Sequence, residues 1–211
     1  HEFQTPLATM DIAVKTLQRK ENELTKENFD ATLSVIGRQN TRLQKLFGQV
    51  TEASLTPKDI TADSKSTITC KDIMEIVSDF KLSHPETVIN CSATDTGLAL
   101  KIDRFYLNTV LINLLDNAVK YGATIIDITM ESMDDKGIIS IQDNGPGIPV
   151  KEQGLIFDKF YRVEKGNIHN TKGLGLGLFY TRQVIEANKG TITVSSEEAK
   201  GALFTITIPL S

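Results

Sequence analysis

The chain has no tryptophan, only two cysteines and three histidines, few aromatic residues and no long apolar run. A membrane-spanning helix needs about 20 consecutive apolar residues, so the sequence predicts no direct membrane contact within this segment. Cys70 and Cys91 lack the spacing of metal ligands, which argues against a cysteine-based zinc site. In a chain of this size we expect two reduced thiols that pack in the interior rather than a disulfide.

The chain also lacks a strong excess of charge of either sign. Its 23 basic and 27 acidic side chains give a net charge of −4, and no basic stripe is present. Nucleic-acid binding normally requires clustered lysine and arginine, so the sequence predicts no nucleic-acid partner. The 211 residues, of which 40% are hydrophobic and 24% charged, are typical of a globular chain with one or two domains.

The first 56 residues have the pattern of a helical hairpin. Apolar residues recur at spacings of three and four, and residues 21–28 are polar enough to form the turn. The positions are Leu7, Met10, Val14, Leu17 and Leu24 in the first helix and Leu33, Ile36, Leu43, Phe47 and Val50 in the second. Two such helices have too little core to stand alone, so we expect a homodimer that closes a four-helix bundle. Asn40 either sets the register of this seam or points away from it.

Residues 51–57 end in a proline and mark a linker, so the predicted domains are 1–56 and 57–211. The second part mixes helical and strand patterns. Thr69 and Asp72 resemble a capping box for a helix through Phe80, and Asp103 is expected to cap the next helix. Strands are predicted at 87–91, 98–102, 124–130, 137–143, 191–195 and 203–208. Helices layered on one sheet give an α+β two-layer sandwich.

A stripe of polar side chains lies on the helix that follows Asp103. At about 100° per residue, Asn113, Asn117 and Lys120 fall within roughly 60° of one another. The opposite face carries the apolar residues Leu107, Leu111, Leu114, Leu115 and Ala118. Amides beside a lysine on an otherwise buried helix are expected to hold something polar, and they suit a magnesium polyphosphate.

Two glycine-containing segments follow this helix. Residues 143–148 read DNGPGI and come directly after a strand pattern, so Asp143 is placed to accept a hydrogen bond from an exocyclic amine. Residues 172–178 read KGLGLGL and lead into a helix. Alternate glycines allow backbone N–H groups to approach an anion at a helix N-terminus, which predicts a phosphate-binding turn.

These three segments, together with residues 156–162 (IFDKFYR), resemble the N, G1, F and G2 boxes of bacterial two-component sensor histidine kinases. The chain also opens with HEFQTPL, which resembles the H box of that family. Five motifs in the same order are far more specific than one glycine motif. The resemblance implies a dimerisation and histidine phosphotransfer hairpin followed by an ATP-binding domain of the GHKL or Bergerat type.

The resemblance implies ATP-dependent autophosphorylation of His1 and transfer of the phosphate to an aspartate of a response regulator receiver domain. It assigns Glu2 to orienting or deprotonating the imidazole and Thr5 to a phosphatase role toward the regulator. Nucleotide binding is assigned to Asn113, Asn117, Lys120, Tyr121, Asp143, Gly145, Gly147, Arg162, Gly173, Gly175 and Gly177, with Asn117 as the Mg²⁺ ligand. The chain would be the cytoplasmic portion of a membrane-anchored sensor protein.

Two other functions remain open at this point. A chaperone or DNA-repair ATPase of the wider superfamily would hydrolyse ATP, but the catalytic glutamate expected at the position of Asn113 is absent. A degenerate kinase could act as a nucleotide-sensing dimer scaffold without turnover. The sequence does not identify the signal, the cognate regulator or whether phosphorylation occurs within or between subunits.

Overall fold

The computed structural model describes residues 4–19, 25–52, 67–163 and 174–211. Three predicted site residues, His1, Glu2 and Gly173, lie outside the described residues. The predicted domain boundary after residue 56 also lies outside them. The helical hairpin and the α/β unit are described separately below.

The hairpin consists of α1 (Gln4–Arg19) and α2 (Lys26–Glu52), which pack against each other. Helix α2 begins within the stretch predicted as a turn. Pro6 and Ala13 are the buried positions among the hairpin side chains that the structure describes. Leu7, Val14 and Leu33 are instead 52%, 39% and 44% exposed in the single chain. Within one hairpin, these larger residues of the predicted seam are therefore only partly covered, whereas the small Ala13 is buried.

The α/β unit alternates strands and helices from β1 to β7. Its elements are β1 (Thr67–Thr69), α3 (Cys70–Ser83), β2 (Val88–Ala93), β3 (Ala99–Lys101), α4 (Arg104–Lys120), β4 (Ile125–Met133), β5 (Lys136–Asp143), α5 (Val150–Gln153), α6 (Gly177–Ala187), β6 (Thr191–Ser196) and β7 (Ala202–Pro209). Strand β1 and the short helix α5 were not predicted. Each is too short to establish a hydrophobic period in the sequence.

Five strands form the main sheet in the order β2-β4-β5-β7-β6. Strand β2 pairs parallel with β4, and the other pairs are antiparallel. Strands β1 and β3 form a separate antiparallel pair. In β4 and β7 buried residues alternate with more exposed ones, so one face of the sheet packs against helices. The predicted two-layer α+β sandwich is therefore confirmed.

The hairpin between β4 and β5 is tighter than predicted. Pairing continues to Met133 and Lys136, so only Asp134 and Asp135 remain in the turn. Asp134 has a φ of +56°, the left-handed conformation that two-residue turns require. The predicted strands at 124–130 and 137–143 had left Lys136 outside the pairing.

Local capping signals were predicted correctly. The Thr69 side chain accepts from the Asp72 N–H and the Asp72 carboxylate accepts from the Thr69 N–H, which is the expected capping box. The Asp103 carboxylate accepts from the Phe105 N–H at 2.8 Å and caps α4. Cys70 and Cys91 are free thiols, as expected.

Candidate functional site

Helix α4 separates an apolar face from a polar one. Its buried residues are Leu107, Val110, Leu111, Leu114, Leu115 and Ala118, which include every apolar position named from the sequence. Asn113, Asp116 and Asn117 are half-buried. Lys120 and Tyr121 are exposed at the C-terminal end, where the Lys120 Nζ lies 5.3 Å from the centre of the Tyr121 ring. The helix therefore presents two amides that are partly shielded from water, followed by a cation.

Asp143 is the last residue of β5 and is half-buried. Its Oδ1 accepts hydrogen bonds from the Gly145 N–H at 2.7 Å and from the Ala202 N–H at 3.3 Å. Burial raises the pKa of the Asp143 carboxyl above 3.8, and the two hydrogen bonds lower it again in part. No described residue donates to Oδ2, so this oxygen is available to a ligand with an N–H group.

Glycines allow the backbone after Asp143 to make a close turn. Gly147 has a φ of +71°, and a Cβ there would overlap the carbonyl oxygen of Glu197. A Cβ on Gly145 would lie 2.8 Å from the Asp143 Oδ1, closer than side chains approach in real structures. A side chain at position 147 would thus collide with backbone, whereas a side chain at position 145 would displace the Asp143 carboxylate.

The second glycine segment leads into helix α6. Gly175 has a φ of +69°, and a Cβ there would lie 2.6 Å from the Tyr161 carbonyl oxygen. Gly177 is the first residue of α6, and a Cβ built on it would lie 3.5 Å from the Asn113 Oδ1. No side chain among the described residues caps this helix. The N-terminus of α6, where anions bind favourably, therefore lies beside the polar face of α4.

The segment that follows Asp143 lies next to the C-terminal end of helix α4. The Asn144 Oδ1 accepts from the N–H groups of Thr124 and Ile125 at 2.9 and 3.0 Å. A Cβ on Gly145 would lie 3.9 Å from the Ala123 Cβ. Since residue 123 follows α4 closely, the loop after Asp143 lies next to the end of that helix. The structure thus brings both glycine segments to α4.

Two further predicted site residues, Arg162 and Thr5, lie outside these segments. Arg162 is exposed and lies in an irregular segment after Tyr161. Thr5 is exposed in the first turn of α1, where its carbonyl oxygen accepts from the Thr9 hydroxyl at 2.9 Å.

Four residues that support the site were not predicted from the sequence. Asn144 lies within the segment 143–148 and bonds it to Thr124, whereas Gln153, Ser196 and Gly201 bond to or contact that segment from outside. The backbone partners of Asn144 lie 19 and 20 residues away, so the local turn pattern does not identify them. Ser196 bonds to a residue 48 positions away, and no local pattern predicts such a partner.

The donor set suits a nucleotide bound with Mg²⁺. Magnesium prefers oxygen ligands and usually binds through few protein groups together with substrate phosphates, which fits the amide oxygens of Asn113 and Asn117. Among the described residues no group of three or more histidine, cysteine, aspartate or glutamate side chains could hold a metal by itself. In the same part of the chain, no helix has the length and apolar character to cross a membrane.

Comparisons with known proteins agree with this geometry. Residues 102–211 match the family model of the histidine kinase-, DNA gyrase B- and HSP90-like ATPases. The chain is 33% identical over 222 residues to the sensor protein RprX of Bacteroides fragilis, covering all of this chain and 42% of that protein. The chain thus spans less than half the length of this curated relative.

Two solved structures share the fold over the whole chain. The Acinetobacter baumannii histidine kinase AdeS is 23% identical with a TM-score of 0.70, and the alignment covers 98% of that chain. The histidine kinase ThkA, solved in complex with the response regulator protein TrrA, is 24% identical with a TM-score of 0.69 over 59% of that chain.

The matched family model covers α4, the Asp143 segment and α6, which are the elements that form the site. The chain belongs to the histidine kinase-, DNA gyrase B- and HSP90-like ATPase family, and over nearly its whole length it is similar to sensor histidine kinases.

Proposed function

We propose that this protein binds ATP in the α/β unit, phosphorylates His1 and passes the phosphate to an aspartate of a response regulator receiver domain. The observation that carries the proposal is the position of Gly177 against Asn113, because it brings a helix N-terminus to the amide stripe of α4. Phosphoryl transfer depends mainly on positioning and charge neutralisation, which these groups are suited to provide.

Each polar group of the site has a proposed role toward the nucleotide. Asn117 would bind Mg²⁺ through its amide oxygen with support from Asn113, and Lys120 would approach the phosphates. Asp143 would accept a hydrogen bond from the adenine amine through Oδ2. Tyr121 would close over the nucleotide. The metal would neutralise charge on the phosphates.

The glycines and Arg162 complete the proposed site. Gly145 and Gly147 would shape the base pocket, and Gly173, Gly175 and Gly177 would form the turn that faces the phosphates. Arg162 would meet the γ-phosphate. The left-handed backbone of Gly147 and Gly175 supports the assignment, since each position excludes a side chain.

His1 would be the nucleophile, because a neutral imidazole nitrogen is competent near neutral pH. The new phosphorus–nitrogen bond replaces the bond between the γ-phosphorus and the bridging oxygen, and ADP leaves. Glu2 would orient the ring or accept its proton. Thr5 would position a water molecule during dephosphorylation of the regulator, and it lies on the exposed side of α1.

Two partners follow from the proposal. The first is a receiver domain, in keeping with the complex of the related ThkA with its response regulator. The second is another copy of the chain, since Leu7, Ile12, Val14, Phe29 and Leu33 are exposed on the hairpin. The protein would be the cytoplasmic portion of a membrane-anchored sensor.

Labelling with γ-labelled ATP and Mg²⁺ tests the proposed chemistry. The chain is compared with His1→Gln and Asn117→Ala, and all three are also tested with a helical segment fused before His1 so that the acceptor is not the terminal residue. We expect label on the protein that is labile in acid and stable in base, and loss of that label in both variants. Retained label in His1→Gln would refute His1 as the acceptor.

The same assay separates the alternatives. Release of labelled phosphate to solution without a labelled protein would indicate a hydrolytic ATPase. ATP binding with neither label nor release, in the fused protein as well, would indicate a nucleotide-binding scaffold and contradict the kinase proposal.

A further inference from the structure

Ser196 is a polar residue at the end of an otherwise apolar row. It is the last residue of β6, where Ile192 and Val194 on the same face pack against the core. The neighbouring Ser195 lies on the opposite, exposed face. The hydroxyl of Ser196 is half-buried and accepts from the Ile148 N–H at 2.8 Å. It also donates to the Gly201 carbonyl oxygen at 2.6 Å.

Both partners of Ser196 belong to the surroundings of Asp143. Ile148 ends the segment 143–148 that follows the carboxylate. Gly201 has a φ of +82°, and a Cβ there would overlap the Asp143 carbonyl oxygen. The next residue, Ala202, donates its N–H to the Asp143 Oδ1. One hydroxyl therefore links the far end of the Asp143 loop to the turn that holds the Asp143 side chain.

Gln153 completes this link from helix α5. Its Nε2 donates to the Ile148 carbonyl oxygen at 2.9 Å and to the Ser196 carbonyl oxygen at 2.7 Å. The N–H of Ile148 is thus bound by the Ser196 hydroxyl, and the C=O of the same residue is bound by Gln153.

The turn between β6 and β7 lies alongside the loop 143–148. The Ala199 N–H donates to the Pro146 carbonyl oxygen at 2.8 Å. A Cβ on Gly147 would overlap the Glu197 carbonyl oxygen, so the two backbones are in close contact there. Of these links, three involve side chains: the Ser196 hydroxyl, the Gln153 amide and the Asp143 carboxylate itself. The first two can be removed without changing either the backbone or Asp143.

We propose that Ser196, assisted by Gln153, is a positioning residue that fixes the direction of the Asp143 carboxylate toward the base of the nucleotide. The inference rests on the proposed function, in which Asp143 accepts a hydrogen bond from the adenine amine. The Asp143 Oδ1 is held by one N–H from the loop and one from the turn. The direction of Oδ2 therefore depends on the relative position of loop and turn, which the Ser196 hydroxyl sets.

The test compares a ligand that has a base with one that lacks it. Binding of ATP and of inorganic tripolyphosphate, each with Mg²⁺, is measured by calorimetry for the wild-type chain, Ser196→Ala and Ser196→Thr. Ser195→Ala is the matched control on the exposed face. We expect Ser196→Ala to weaken ATP binding by about three- to ten-fold, the range for one or two lost hydrogen bonds. Tripolyphosphate affinity should not change, and Ser196→Thr, which keeps a hydroxyl, should restore ATP binding.

Equal weakening of both ligands would overturn the inference, because it would indicate general destabilisation. Unchanged ATP binding in Ser196→Ala would overturn it as well. Should Ser196→Ala fail to fold by circular dichroism, Gln153→Ala takes its place with the same expected contrast between ATP and tripolyphosphate.

Asp143→Asn distinguishes this inference from the proposed function on which it rests. Loss of ATP affinity in Asp143→Asn with normal affinity in Ser196→Ala would refute only the positioning role. Failure of the wild type to bind ATP, or normal affinity in Asp143→Asn, would refute the assignment of Asp143 and the inference with it.

Discussion

Asp143 holds its charge at an energetic cost. The carboxylate is half-buried, and the hydrogen bonds from Gly145 and Ala202 only partly offset its desolvation, so the pKa of its carboxyl is raised. A carboxyl with a raised pKa in the folded state favours the protonated form. The contribution of this carboxyl to stability is complete below its pKa in the unfolded state, 3.8. It is lost as the pH rises through its pKa in the folded state. At neutral pH the ionised Asp143 therefore lowers the free energy of unfolding.

Replacing Asp143 by asparagine should separate stability from ligand binding. Asparagine keeps an oxygen that can accept from Gly145 and Ala202 but removes the buried charge. We expect the free energy of unfolding at pH 7, measured by urea denaturation, to stay the same or rise. ATP affinity, measured by calorimetry, should fall at least about tenfold, because a charged acceptor is replaced by an amide.

The pH dependence gives a second check on Asp143. The stability of the wild type relative to Asp143→Asn should decrease as the pH rises from below 3.8 through the raised pKa. ATP affinity of the wild type should decrease as the pH falls through the same range. Asp135→Asn, in the exposed turn before β5, is the control. A large loss of stability in Asp143→Asn at neutral pH would contradict the electrostatic argument.

At the scale of elements, helix α3 is fixed at its start by Asp72. The carboxylate accepts from the Thr69 N–H at 3.0 Å and from the Thr69 hydroxyl at 2.7 Å. Arg104, the first residue of α4, forms ion pairs with Asp72 and with Glu75. These groups connect the start of α3 to the start of the helix that carries the amide stripe.

Asp72→Asn should destabilise the protein in a pH-dependent way. Hydrogen bonds from Thr69 and the charge of Arg104 lower the pKa of the Asp72 carboxyl below 3.8. The resulting contribution to stability is present above the pKa that Asp72 has in the unfolded state. It is lost as the pH falls through the lower pKa of the folded state. We expect the variant to lose about 1 kcal/mol at pH 7, measured by urea denaturation, with the difference from wild type shrinking below pH 3.8.

Glu86→Gln provides the comparison for Asp72→Asn, since Glu86 is an exposed carboxylate in the turn after α3. Its effect on unfolding should be within about 0.5 kcal/mol at any pH. A difference between Asp72→Asn and wild type that persists unchanged at low pH would show that the lost interaction does not depend on ionisation.

At the scale of the whole molecule, the hairpin leaves large apolar side chains exposed. Ile12 is 66% exposed, and Phe29 is 43% exposed. Two helices with Pro6 and Ala13 as the buried positions among their described side chains cannot gain much from burial within one chain. Association with a second copy would remove the apolar surface from water, which is the physical basis of the proposed dimer.

We therefore expect light scattering coupled to size exclusion to give twice the chain mass of 23.3 kDa. Leu33→Glu places a charge in the exposed apolar face of α2 and should shift the protein toward a single chain. Leu82→Glu, on the exposed side of α3, is the matched control and should leave the mass unchanged. A wild type that elutes at 23.3 kDa at micromolar concentration would contradict the dimer.

Local sequence patterns were sufficient to predict the features that depend on local geometry. The apolar face of α4, the caps at Thr69 and Asp103 and the strand pattern before Asp143 were predicted correctly, because each depends on residues within one or two turns or a few strand positions. The order of the motifs also identified the family. Short elements such as β1 and α5 escaped prediction because their sequences contain no full period.

The contacts between residues that are distant in the chain could not be predicted from the sequence. Gly177 lies against Asn113, and Ser196 bonds to Ile148, although each pair is far apart in the chain. Such contacts follow from the strand order, in which β7 lies between β5 and β6. The turn from β6 to β7 therefore lies beside the loop that follows Asp143 at the end of β5. Backbone hydrogen bonding between strands is nearly independent of side-chain identity, so the sequence of one strand does not specify its distant partner. The packing of the complete core makes that choice.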